Sequence, residues 1–84
     1  MSSVIYFLQD IKIKNIRMWI TTDLEKDIER YTGWYLGNLK LLATLPGNDE
    51  KLLELQKRFA DSRKSVQWFK PGEELTKYIK SIAG

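Results

Sequence analysis

Residues 3 to 9, SVIYFLQ, crowd β-branched and aromatic side chains ahead of the polar Asp10, a composition that predicts a first strand. Through residues 11 to 21, IKIKNIRMWIT, the apolar parity set by Ile11 and Ile13 switches to Ile16, Met18 and Ile20. One uninterrupted strand cannot change faces in this way. A turn or bulge near Lys14 and Asn15 therefore divides the segment, and a second strand returns from Ile16 to Thr21 as the partner in an antiparallel hairpin. Thr22-Asp23-Leu24-Glu25 then fits a capping box that starts a helix. Leu24, Ile28, Tyr31 and Tyr35 share the buried side of that helix, and Gly33 supplies its stop. Asp27 lies three residues after Leu24 and four before Tyr31, so it borders the apolar stripe, an odd place for a charge that merely aids solubility.

LKLLATL, residues 39 to 45, is almost continuously apolar and is cut off by Pro46-Gly47, which predicts a strand covered on both faces and hence a central one. Asn48 caps a second helix that opens on Asp49 and Glu50 and runs to the region of Ala60. Its inward stripe is Leu52, Leu55 and Phe59, with Gln56 as a polar residue beside them. A loop carrying Val66-Gln67-Trp68-Phe69 follows, and Pro71-Gly72 introduces a last helix with Leu75, Tyr78, Ile79 and Ile82 at helical spacing. The expected order is ββαβαα. This is an α+β domain, spanning residues 1–84, with a three-stranded antiparallel sheet flanked by helices and no repeat, linker or low-complexity stretch.

Composition narrows the chemistry. With 84 residues, 43% of them hydrophobic, the chain can build a small core and a radius of gyration of about 12 Å. Cysteine is absent, which removes disulfides and thiolate nucleophiles and fits a reducing cytoplasm. Histidine is absent as well, which removes the commonest general base, the commonest zinc ligand and every Ser-His or Cys-His triad. No apolar run has membrane-spanning length and the start carries no basic leader, so the reading is of a soluble, cytoplasmic, untargeted chain without a membrane partner. A net charge of +3 permits contact with a polyanion without demanding it. The densest cations, Lys57, Arg58, Arg63, Lys64 and Lys70, are interleaved with Phe59, Trp68 and Phe69. A solvated helix end over core aromatics is the plainer account of that cluster, and a nucleic-acid patch is the alternative.

Five phrases carry a family resemblance: IYFLQ at 5 to 9, TTDLEKDIERYTG at 21 to 33, LKLLATLPG at 39 to 47, KRFA at 57 to 60 and WFKP at 68 to 71. In this order and spacing, over nearly the whole chain, they resemble the phage and bacterial branch of the GIY-YIG nuclease superfamily. That family's pattern reads YFIQ, KIG, a DLEKR helix, LKLLATIPG, an ExxxH helix and EWFKP. The resemblance implies phosphodiester cleavage by one glutamate-bound metal ion, a tyrosine or lysine pair near the hairpin that helps activate water, and an arginine facing the charge that grows on phosphorus.

The matching positions depart from that chemistry. Tyr6 keeps the first-motif tyrosine, and Arg17 stands for the KIG lysine. Trp19 replaces the KIG glycine, and Asp27 replaces the arginine and so reverses its charge. Leu52 replaces the metal-binding glutamate, Gln56 the histidine, and Gln67 the glutamate before Trp68-Phe69. Each change also has a plain structural account: Leu52 as core, Trp19 as a cap on the sheet, Asp27 paired with Arg30 or Lys26. Together they imply no catalytic residues, no metal and no cofactor.

The leading expectation is an inactive GIY-YIG-like domain whose former cleft, around Arg17, Trp19, Asp27, Gln56 and Gln67, docks a protein or ribonucleoprotein partner. It would act as an inhibitor of a nucleic-acid-processing defence complex, as phage and mobile-element proteins block CRISPR effectors. The alternatives are a non-catalytic nucleic-acid binder using the 57 to 70 cations and a weak metal-dependent endonuclease. Oligomeric state is left open.

Overall fold

A computed structural model of the chain describes residues 3–34 and 38–83, with side chains for 3–31 and 38–83. The elements are β1 (Val4–Asp10), β2 (Ile16–Thr21), α1 (Leu24–Trp34), β3 (Leu39–Pro46), α2 (Asp49–Arg58), a 3-10 turn (Ala60–Ser62), β4 (Trp68–Phe69) and α3 (Glu73–Ala83). They form one antiparallel sheet of four strands in the order β3-β1-β2-β4. The radius of gyration is 12.0 Å.

The hairpin forms where the change of parity places it. Asp10 caps its turn, with Oδ1 accepting the N–H groups of Lys12 and Ile13 at 2.8 and 3.2 Å. Lys14 reverses the chain in the left-handed region, at φ 68°. From there β1 and β2 pair in register from Gln9↔Ile16 to Val4↔Thr21.

Two expectations about the sheet are corrected. It has four strands, because Trp68-Phe69 leaves the expected loop and pairs with Ile16 and Arg17. Phe69 is fully buried, and burial of this one ring holds a strand too short to be seen in a pattern of alternation. The central strand among the first three is β1 and not β3. Ile5, Tyr6, Phe7 and Leu8 are buried in succession, as a strand covered on both faces requires, whereas β3 lies at the sheet edge with Leu41 at 41% exposure. The apolar run of β3 arises from a bulge. Phe7 pairs with Ala43 and Leu8 with Leu41, so Leu42 is the extra residue and packs inward beside Ala43.

Helix starts are set by side chains that accept the first free N–H groups. At α2 the acceptor is Asn48 Oδ1, 3.0 Å from Lys51 N, as expected. At α1 the cap is Asp23 in place of Thr22: Asp23 Oδ1 accepts from Lys26 N at 3.2 Å, while Thr21 Oγ1 accepts from Asp23 N. Helix α1 also runs through Gly33 to Trp34, so glycine is no stop here, and Tyr35 lies outside the described residues.

The sheet separates two layers. On one face Ile5, Phe7, Ile16, Met18 and Phe69 pack with Leu52 and Leu55 of α2, Phe59 at its C-cap, and Leu75 and Ile79 of α3. On the other, Tyr6, Leu8, Arg17 and Trp19 alternate against these, and α1 reaches over Tyr6 with Asp27 and over Arg17 with Tyr31. Among the described residues no helix is long and apolar enough to cross a membrane.

Candidate functional site

On the α1 face, β1 and β2 bring Tyr6 beside Trp19 and Leu8 beside Arg17. Helix α1 lays Asp27 and, one turn later, Tyr31 over them. The Tyr6 hydroxyl accepts a hydrogen bond from Arg17 Nε and donates one to Asp27 Oδ2, each at 3.4 Å. The Arg17 guanidinium stacks on the Tyr31 ring, 3.9 Å from its centroid. The residue is only 4% exposed, so stacking and this hydrogen bond are where a buried cation finds compensation. Asp27 pairs with neither Lys26 nor Arg30 among the described contacts; its carboxylate is engaged by Tyr6 instead.

The phenol of Tyr6 is pushed up from 10.0 to about 12, first by burial and further by the negative charges that Asp27 and an ionised Tyr31 would place nearby, with Arg17 acting in the opposite sense. A phenol held neutral to such a pH is a poor base at neutrality. The consequence for stability follows in sign. A folded-state pKa above the unfolded value means that the stabilisation tied to Tyr6 is complete below pH 10 and lost as pH rises toward 12. In a spectrophotometric titration of the native protein at 295 nm, the Tyr6 phenol is expected to ionise near pH 12, together with the onset of unfolding. Loss of that late step in Tyr6→Phe assigns it, and an unchanged curve would refute the assignment.

The position at which the family resemblance places a metal-binding glutamate, Leu52, lies in hydrocarbon. Leu52 is 6% exposed and packs in the core on the opposite side of the sheet, so it offers no oxygen ligand and its neighbours are hydrocarbon. Among the described residues no three acids, histidines or cysteines come together.

The sequence-selected docking residues divide into two groups. Trp19 and Asp27, both half-buried, line an open groove of about 590 Å³ with Thr21, Arg30, Tyr31 and Asp49. Arg17 lies beneath this groove in the Tyr6 linkage rather than on its wall. Gln56 is 9% exposed, on α2, and Gln67 is half-buried with its carbonyl accepting Met18 N at 2.9 Å; neither lines the groove. Tyr31 and Asp49 join the wall without having been singled out for it. Tyr31 was legible as the i+4 neighbour of Asp27, whereas Asp49 enters only because the β3–α2 junction folds back toward the end of β2.

The alternative basic cluster lies past the C-terminal half of α2. Arg58 sits over the Phe59 and Tyr78 rings, at 5.2 and 4.9 Å, and Arg63 donates to the carbonyls of Ser65 and Val66. Two of its five cations thus hold the local fold, and Lys57, Lys64 and Lys70 are exposed.

A scan of protein-family models matches none to this chain, and searches of curated proteins and of solved structures find no match either.

Proposed function

We propose that this chain is a non-catalytic binding domain on a GIY-YIG-like scaffold, one that docks on and inhibits a protein or ribonucleoprotein of a nucleic-acid-processing defence complex. The observation that carries this reading is the closed linkage Arg17–Tyr6–Asp27. At the positions where the family resemblance implies water activation and phosphate stabilisation, the side chains satisfy one another under α1, and a carboxylate stands where a phosphate would need a cation. Beside that linkage, Trp19 and Tyr31 remain on the wall of an open groove. Large aromatic rings there supply contact area at a low cost in side-chain entropy, the usual property of an interaction anchor.

The groove's two carboxylates favour a protein surface over a nucleic acid. Duplex binding would fall instead to Lys57, Lys64 and Lys70, at the far end of α2. Two assays test the reading. Supercoiled plasmid incubated with the protein and Mg²⁺ or Mn²⁺ is expected to stay supercoiled; nicking that tracks the protein and disappears in Tyr6→Phe would overturn the proposal. Affinity capture with tagged wild type is expected to lose its specific partner in Trp19→Ala, whereas unchanged capture, or DNA binding that weakens steeply with salt, would move the function away from this groove.

A further inference from the structure

We propose that the tip of the β1–β2 hairpin, residues 10 to 15, docks on an anionic lipid bilayer, with Ile11 and Ile13 entering its interface and the surrounding lysines meeting its headgroups. Ile11 is 45% and Ile13 63% exposed, and Ile13 is the most exposed large hydrophobic among the described residues. Neither belongs to the core cluster. A single exposed apolar residue needs no account, but two on one six-residue turn amid exposed cations make the combination by which a protein lies on a membrane surface. Such a contact needs no spanning run, and among the described residues no helix supplies one.

The turn is also prepared for a medium poor in water. Every backbone N–H from Asp10 to Lys14 has an acceptor inside the domain: Asn15 O for Asp10, Asn38 O for Ile11, Asp10 Oδ1 for Lys12 and Ile13, and Asp10 O for Lys14, all at 2.7 to 3.2 Å. The Gln9 side-chain amide donates to the Lys14 carbonyl at 3.0 Å. An unpartnered peptide group is costly in an apolar medium, and these donors avoid that cost. A loop that pairs with another peptide, or grips phosphates through its amides, keeps such donors free. The closed backbone thus favours a lipid surface over a nucleic acid or an acidic polypeptide.

Exposed charge at this end is positive. Lys12 and Lys14 lie in the turn, Lys40 pairs opposite Gln9, and Lys80 of α3 shares a small cavity with Gln9 and Ile16; all four are exposed. The acid in the turn, Asp10, is 9% exposed and is spent on the N–H groups it caps. On α3, Glu73 and Glu74 stand in the first turn, Glu73 bridging Lys77, while Lys80 stands in the last. From Glu29 to Asn38 the sequence holds one acid and one base, and from Ala60 to Pro71, around β4, one acid and three bases. Asp27 and Asp49 belong to the groove near Thr21, five residues along β2 from Ile16. That is about 17 Å on the usual strand rise, beyond the Debye length of about 8 to 10 Å. The groove therefore stays open to a partner while the tip is occupied.

The test mixes the intact protein with large unilamellar vesicles of phosphatidylcholine alone, or of equal parts phosphatidylcholine and phosphatidylserine, and separates bound protein by sedimentation. Binding is expected to the anionic vesicles alone and to weaken as salt rises. A lysine near such a surface contributes about a fivefold factor, so Lys12→Gln/Lys14→Gln should bind about 25-fold more weakly. Ile11→Ser/Ile13→Ser should lose at least about tenfold with every charge intact. Both pairs are exposed, so their melting transitions should match wild type; if the serine pair fails to fold, Ile13→Ala carries that arm. No binding at about 1 mM accessible lipid, equal binding to both vesicle types, or isoleucine variants that bind like wild type would each overturn the proposal. A DNA duplex or polyglutamate bound more tightly than the vesicles, and equally by the isoleucine variants, would overturn it by assigning the lysines to a polyanion. Partner capture that is lost in Trp19→Ala should persist in the tip variants, and its loss there would contradict a separate surface.

Discussion

Leu52→Glu, which restores the acid that the family resemblance implies for a metal ligand, is expected to unfold the domain rather than revive hydrolysis. Leu52 is 6% exposed and packs in one cluster with Leu55, Phe59 and the apolar residues of β1 and β2. The substitution removes a core side chain, a change that costs about 2–5 kcal/mol when truncated to alanine. It also places an unpaired carboxylate in hydrocarbon, for several kcal/mol more. The sum rivals the whole stability of a small domain, roughly 5–15 kcal/mol. Circular dichroism at neutral pH should show loss of cooperative unfolding, and Leu52→Gln, which buries an amide without charge, should retain a weakened transition. A well-folded Leu52→Glu protein that nicks plasmid with Mg²⁺ would instead mean that the helix can turn this position toward Tyr6, and the reading of a lost metal site would be wrong.

Phe69→Ala is expected to cost about 3–5 kcal/mol in urea-induced unfolding. The ring is fully buried, and β4 consists of two residues. Its ladder with Ile16 and Arg17 is therefore too short to hold without the anchor. The segment around it hangs from the same point: Phe69 also bridges Arg63, and Lys70 N donates to Ser62 O at 2.6 Å. Loss of the ring should accordingly raise amide exchange at Met18, whose N–H is held by Gln67 O, before global unfolding. Phe69→Leu, which keeps most of the volume, should lose less than about 1.5 kcal/mol. A loss below about 1 kcal/mol for alanine would show that β4 is a passive edge and that the core closes without it.

Much of this architecture was legible before any coordinates. The parity switch between Ile13 and Ile16 implied the hairpin, and the helical spacing of Leu52, Leu55 and Phe59 and of Leu75 and Ile79 identified faces that do enter the core. Asp27 was marked as misplaced for a solvent charge, and it is half-buried against Tyr6. Strand β4 was not legible, because two residues carry no period. The edge position of β3 was hidden because its bulge turns Leu42 and Ala43 the same way and so imitates a strand buried on both sides. The N-cap moved by one residue because Asp23 and Thr22 are both competent acceptors, and the hydrogen bond that Asp23 N donates to Thr21 Oγ1 favours Asp23.

By itself the sequence determined the local elements, the two-sided alternation of β2 that sets Arg17 and Trp19 apart from Ile16 and Met18, and the absence of cysteine and histidine chemistry. These are properties of neighbouring residues and of composition, and short-range sterics and burial decide them. Tertiary structure alone decided that α1 closes over Arg17 and Tyr6, that Leu52 lies across the sheet from them, and that Asp49 shares a groove with Trp19. Those are pairings between residues far apart in the chain. They depend on which face of the sheet each helix covers, a choice made by the packing of the whole core and written in no single segment.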